Sequence, residues 1–216
     1  MTRIAWGTPG ERFFETGIDR GVLYIDNFDG VPWNGITSVS EAPTGGEARP
    51  YYLDGYQYLN ISAAEEFEAT INAFSSPREF DICDGTLSIS NGLYATQQPR
   101  KSFHLSYRTM VGNDTEGAEH GYKIHLVYNA LAAPSSRDNT SIGDSAAPIG
   151  FSWAITTLPP AITGIKPTAH MVIDSRMTPP ELLAEIEDIL YGSNSNSSHM
   201  PDVEELMSIF NTPVTP

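Results

Sequence analysis

FHLSYR, residues Phe103–Arg108, alternates strictly: Phe103, Leu105 and Tyr107 fall on one side, His104, Ser106 and Arg108 on the other. A strand sends successive side chains to opposite faces, so this pattern predicts a strand with one packed face. The period recurs along the chain. FEATINAF (Phe67–Phe74) sets Phe67, Ala69, Ile71 and Ala73 against Glu68, Thr70 and Asn72, and YKIHLVYNALA (Tyr122–Ala132) puts Tyr122, Ile124, Leu126 and Tyr128 together. GVLYIDNF (Gly21–Phe28), FSWAITTL (Phe151–Leu158) and TAHMVID (Thr168–Asp174) complete the set, separated by Gly, Pro, Asn and Asp. Repeated period-two runs with turn residues between them predict an antiparallel β-sandwich or barrel.

One stretch departs from that period. TPPELLAEIEDILYG (Thr178–Gly192) carries Leu182, Leu183, Ile186, Ile189 and Leu190 in a helical stripe, with Thr178 as cap, Pro179 at the first helical position and Gly192 as stop. Its charges, Glu181, Glu185, Glu187 and Asp188, are all negative. The Glu181–Glu185 pair repels at i,i+4, and Asp188 lies at the unfavourable end of the helix dipole. Packing must hold this helix, so it is expected to dock on the sheet.

The chain therefore divides into a β-domain over 1–192, with its helix at 178–191, and a C-terminal extension over 193–216. In the extension, SNSNSSHMPD (Ser193–Asp202) reads as a flexible linker. DVEELMSIF (Asp202–Phe210) has Val203, Leu206, Met207 and Phe210 at helical spacing. Two readings stand for it: a segment that docks elsewhere, such as on a neighbouring copy, or a frayed terminus.

Two long segments lack a steady period. Val39–Asp54 (VSEAPTGGEARPYYLD) reads as a long loop leading into a tyrosine cluster, Tyr51, Tyr52, Tyr56 and Tyr58. Long loops in compact domains usually have a task, and tyrosines offer large contact area with a polar tip. Pro134–Pro148 is polar and Ser-rich and reads as a mobile surface loop.

Charge narrows the partners. With 12 Lys and Arg against 27 Asp and Glu, the net charge is -15. Such a surface on average repels nucleic-acid phosphates and anionic membranes. Against that background PRKSFHLSYRT (Pro99–Thr109) is unusual, since it concentrates Arg100, Lys101 and Arg108. Cys83 is the only cysteine, so an internal disulfide and a multi-cysteine zinc site are both excluded. Met1–Gly10 has no apolar core of a signal peptide, and no apolar run reaches the roughly 18–20 residues that span a bilayer. The chain is expected to be made in a reducing cytoplasm, with no membrane partner.

Motifs of catalysis are weak. The histidines, His104, His120, His125, His170 and His199, form no HExxH and no ligand spacing, and those within strand patterns read as structural. Gly143–Ser145 (GDS) lacks the GxSxG frame of a nucleophile elbow. GTPGER (Gly7–Arg12) lacks the GK[ST] end of a P-loop, and DICDG (Asp81–Gly85) lacks the ligand series of a calcium loop. No catalytic site, cofactor or metal is expected.

Longer stretches carry a resemblance. MTRIAWGTPGERFFETGIDRGVLYIDN, GVPWNGITSVSEAPTGGEARPYYLDGYQYLN, AFSSPREFDICDG, YATQQPRKSFHLSYRT, GYKIHLVYNALAAPSSRDN and FSWAITT resemble, in order, major tail proteins. These are the tail tube subunits of long non-contractile-tailed (siphovirus) phages of actinobacteria. The resemblance runs from Met1 through the helix and fades in Ser193–Pro216. It implies a β-sandwich or barrel of the tail tube type with a flanking helix. It further implies hexameric rings that stack into a tube, assembled in the bacterial cytoplasm and carried in the virion. DNA passes through the lumen without specific binding, and the tape-measure protein occupies it beforehand. Tail terminator and distal tail proteins are the other implied partners, and there are no catalytic residues to carry over.

Under this reading the assembly contacts are expected in three places. The N-terminal arm supplies Arg12, Phe13 and Phe14; the long segment supplies Glu41, Arg49, Tyr51, Tyr52 and Tyr56, reaching an adjacent ring; and Arg100 and Arg108 meet carboxylates of neighbouring copies. Net negative charge would leave an acidic lumen along which DNA slides. Rival readings are a single-ring tail component (terminator or distal tail protein), a carbohydrate-binding β-sandwich, and, lowest, a hydrolase.

Overall fold

The computed structural model describes residues 3–25, 29–141, 148–162 and 164–211. The Gly143–Ser145 triplet and the end of the strand expected over Gly21–Phe28 thus lie outside the described residues. Fourteen strands and two helices follow one another among those described. The first half of the chain gives β1 (Phe13–Tyr24), β2 (Val31–Pro32), β3 (Ile36–Glu41), β4 (Thr44–Gly45), β5 (Ala48–Leu53), β6 (Tyr56–Ser62), β7 (Glu65–Glu66) and β8 (Glu68–Ala73). After a short 3-10 turn at Arg78–Ile82 come β9 (Leu87–Ser90), β10 (Leu93–Ala95), β11 (Phe103–Asn113), β12 (Gly117–Ala132), β13 (Phe151–Thr157) and β14 (His170–Asp174). The helices are α1 (Pro180–Tyr191) and α2 (Val203–Asn211).

The β11–β12 hairpin is the spine. Its turn is held by Asn113, whose Oδ1 accepts from the backbone N–H groups of Thr115 (3.1 Å) and Glu116 (2.6 Å). The main sheet is antiparallel with the order β2-β1-β11-β12-β13-β8-β3. β12 is long enough to serve two partners on one side, β14 along Lys123–Val127 and β13 along Ala130–Ala132. Asn129, with φ 49°, lies between these two pairings. The sheet also curls. A Cβ on Gly21 of β1 would lie 2.6 Å from Ile36 Cδ1 of β3, so glycine permits strands near opposite ends of the order to touch. A bulge eases the bend, since Arg20 and Gly21 together oppose Tyr107 and Arg20 has φ 48°.

Alternation now has a physical referent on both faces. Leu23, Ile71, Phe103, Leu105, Tyr107, Trp153 and Ile155 bury one face around Trp33 and Phe80. The opposite face carries Val22, Tyr24, Ile124, Leu126, Tyr128 and Ile173, and the helices close it with Leu182, Ile186, Leu190, Val203, Leu206 and Ile209. The face of β11 read as polar is therefore covered too. Ser106 is fully buried, its hydroxyl 3.3 Å from that of Tyr24, which donates to the Leu190 carbonyl at 2.8 Å.

The sheet is flanked by the expected helix, in a register one residue later. Pro179 stands at the N-cap and Pro180 opens the helix. The Thr178 hydroxyl does not cap it but donates back to the Asp174 carbonyl at 2.9 Å. Gly192 ends the helix with φ 80°.

The C-terminal segment docks on its own chain. Its linker is pinned: Gly30 N–H donates to Ser198, His199 N–H to the Ile189 carbonyl (2.9 Å), and Tyr128 Oη to the Pro201 carbonyl (3.1 Å). Asp202 caps α2 by accepting from Glu205 N–H at 2.7 Å. The inward stripe is Val203, Leu206 and Ile209, whereas Met207 and Phe210 remain partly exposed, so the helix is rotated from the expected stripe.

The Val39–Asp54 segment is not a long loop. It comprises the end of β3, β4 and β5, the last being half of a hairpin with β6. Asp54 (φ 51°) and Gly55 (φ 81°) form the tight turn with two positive φ angles that Asp-Gly favours.

Candidate assembly interface

The β5–β6 ribbon stands clear of both cores: every residue in either strand is exposed. It is nevertheless rich in large apolar groups, including Tyr51, Tyr52, Leu53, Tyr56, Tyr58 and Ile61. Register pairs Arg49 with Ile61 and Tyr51 with Leu59, so these four share a face, while Pro50 and Asn60 oppose each other on the reverse. Tyr56 is 80% exposed at the tip. A two-stranded ribbon is marginal in water by itself, and a contiguous apolar face of this kind marks a contact surface.

The N-terminal arm presents a second apolar group. Trp6 is 84% and Ile4 71% exposed, and Phe13 and Phe14 are half-exposed at the start of β1. The arm is tied to the β11–β12 turn: Gly10 N–H donates to Asp114 Oδ1 at 2.9 Å, and Arg12 lies 3.9 Å from the same carboxylate while bonding the Gly7 carbonyl. The Phe13 ring lies tilted against His120 with centroids 5.4 Å apart, and the Arg176 guanidinium lies over it at 5.3 Å. Phe14 lies across Gly112, where a Cβ would meet its ring at 2.4 Å.

The two arginines of the basic stretch have partners inside the chain. Arg108 forms a two-pronged ion pair with Asp19. Arg100 precedes β11 rather than sharing its face, and its Nη1 bonds Asp84 (3.2 Å) and the Ala132 carbonyl (3.2 Å). Asp84, from the DICDG turn, also receives Arg137 and the Trp153 indole N–H. It is a partly buried structural acceptor that ties Arg100 and Arg137 to the turn.

Glu41 belongs to a different constellation, which short-range spacing does not reveal. At the end of β3 its Oε1 accepts from Tyr107 Oη at 2.7 Å and lies 3.5 Å from His125 Nδ1. That nitrogen is 3.1 Å from His170 Nε2 across the β12–β14 ladder. His125 Nε2 is 3.0 Å from the Thr109 hydroxyl. Burial pushes the His125 pKa down to about 4 and lowers that of His170 as well, so both imidazoles are neutral near pH 7. The site opens on a cleft of about 950 Å³ at the base of the ribbon, lined by Gly46, Ser62, Glu65 and Phe67 among others.

The signals for what was missed are uneven. Asp54–Gly55 announces the ribbon, and Asn91–Gly92 lies at the turn of the exposed β9–β10 hairpin. The Glu41–His125–His170 group comes from three strands and has no local signature.

No family model and no curated protein matches this chain. Among solved structures, it is similar to a chain in the cryo-electron-microscopy structure of the anti-feeding prophage (AFP) baseplate, 6-fold symmetrised. The identity is 9%, the match covers 80% of this chain and 97% of that chain, and the TM-score is 0.39. A likeness at that level carries no argument here. No helix among the described residues is long and apolar enough to cross a membrane.

Proposed function

We propose that this chain is a structural virion protein, a tail tube subunit that self-assembles into stacked hexameric rings around a lumen for DNA. The observation that carries the reading is the β5–β6 ribbon, an apolar surface that its own fold leaves uncovered. Burying a tyrosine or leucine contributes on the order of 1.5–3 kcal/mol, so a few such residues per contact drive association. The ribbon reaches the adjacent ring, and the arm with Trp6, Phe13 and Phe14 packs against a neighbour. The sequence resemblance to major tail proteins supports the same assignment, and the net charge of -15 suits a lumen that does not hold DNA. The tape-measure protein and the tail terminator and distal tail proteins are the further partners of this role.

The test is assembly of paired variants. Purified wild-type protein should form long hollow tubes in negative stain. Tyr52→Ser/Tyr56→Ser should melt like the wild type, because neither side chain contributes to a core, yet remain monomeric. Isolated rings would favour a terminator or distal tail role. Tubes formed equally well by the variant would remove the ribbon from the interface.

A further inference from the structure

We propose that Glu41, His125 and His170 form a binding site for a divalent transition-metal ion of the zinc class. One carboxylate oxygen and one ring nitrogen from each histidine lie within 4.8 Å of one another. The donor separations of 3.1 and 3.5 Å are close to the edge of a tetrahedron built on metal bonds near 2.0–2.1 Å, about 3.3 Å. Two imidazoles and a carboxylate suit zinc or its neighbours, whereas calcium and magnesium prefer all-oxygen sets.

The surroundings hold the donors in place. Tyr107 donates to the Glu41 carboxylate at 2.7 Å. With His125 Nε2–H donated to the Thr109 hydroxyl, the His125 lone pair falls on Nδ1, the nitrogen that faces the other two donors. Outer-shell bonds of this type orient metal ligands. Aromatic rings pack around the donors: Tyr107 stacks on His125 at 4.6 Å and 5°, and Phe67 covers His170 at 4.3 Å. Binding replaces the N–H···N bond between the histidines: His125 keeps its proton on Nε2, and the His170 proton moves from Nε2 to Nδ1, so that each facing nitrogen presents a lone pair.

Glu41 and His170 line the cleft, which gives an ion a path of entry. Glu41 is the last residue of β3, just before the chain leaves for β4 and the exposed ribbon. An ion here ties the base of that ribbon to the β12–β14 ladder, and its role is structural.

Titration calorimetry with zinc chloride on chelator-treated full-length protein tests the site. One ion should bind per chain, Glu41→Gln and His170→Gln should each abolish that binding, and Tyr107→Phe should weaken it by roughly tenfold. Saturating zinc should raise the melting temperature of the wild type and leave that of Glu41→Gln unchanged. Glu41 is exposed, so its variant folds even if His170→Gln does not. Failure of the wild type to bind one equivalent, or unchanged binding by Glu41→Gln with a native melt, would overturn the proposal.

Discussion

Asp19 and Arg108 face each other in the β1–β11 ladder, joined by two hydrogen bonds, Nε to Oδ1 at 2.7 Å and Nη2 to Oδ2 at 2.5 Å. The same guanidinium lies 4.6 Å from the centroid of the Tyr122 ring, whose hydroxyl donates to Glu187 of α1 at 2.7 Å. One arginine thus links the bulged edge of the sheet to the surface on which the helix rests.

The Arg108 hydrogen bonds hold the Asp19 carboxyl below its ordinary range. A depressed folded pKa stabilises the fold above the unfolded value, near ~3.9, and that contribution disappears as pH falls through the folded value. Asp19→Asn should therefore cost about 1 kcal/mol or less at neutral pH, because the carboxylate side chain is 44% exposed and screened. Urea denaturation at a series of pH values should give wild-type and variant stabilities that converge as pH falls through the folded value of Asp19. A gap that persists undiminished in acid would show that the ion pair is not its source.

The C-terminal helix offers a contrast within two turns. Leu206 is buried in the helix-facing core, and Phe210 is 44% exposed. Leu206→Ala should destabilise by roughly 2–4 kcal/mol, while Phe210→Ala should stay within about 0.5 kcal/mol. Denaturant melts separate these values easily. Equal, negligible effects would mean that α2 does not contribute to the fold of its own chain.

Cys83 is fully buried against the Trp153 core, and burial raises its thiol pKa to about 12. The reactive species is the thiolate, so native protein at mildly alkaline pH should resist alkylation. Labelling should rise in step with urea-induced unfolding. Rapid labelling of folded protein would show that the 3-10 turn at Arg78–Ile82 opens locally.

The main sheet was legible because alternation maps directly onto packing. Ile71, Leu105 and Tyr107 point to one core and Ile124, Leu126 and Tyr128 to the other. Alternation alone could not show that Ser106 is buried, since a small hydroxyl bonded beneath a helix has the same letter as one in water. The β5–β6 ribbon left no period because neither of its faces enters a core; its Asp-Gly turn was the available signal. α2 displayed the right spacing, but which side turned inward depended on Asp202 and Pro201 fixing its start. Glu41, His125 and His170 meet only through strand topology, so their grouping was not available from local spacing.

A helical reconstruction of assembled particles tests the central claim most directly. The account predicts a hollow tube of stacked six-membered rings in which Tyr52 and Tyr56 are buried against a subunit of the adjacent ring. A tube with the β5–β6 ribbon bare to solvent, or a protein that stays monomeric under all assembly conditions, would contradict it.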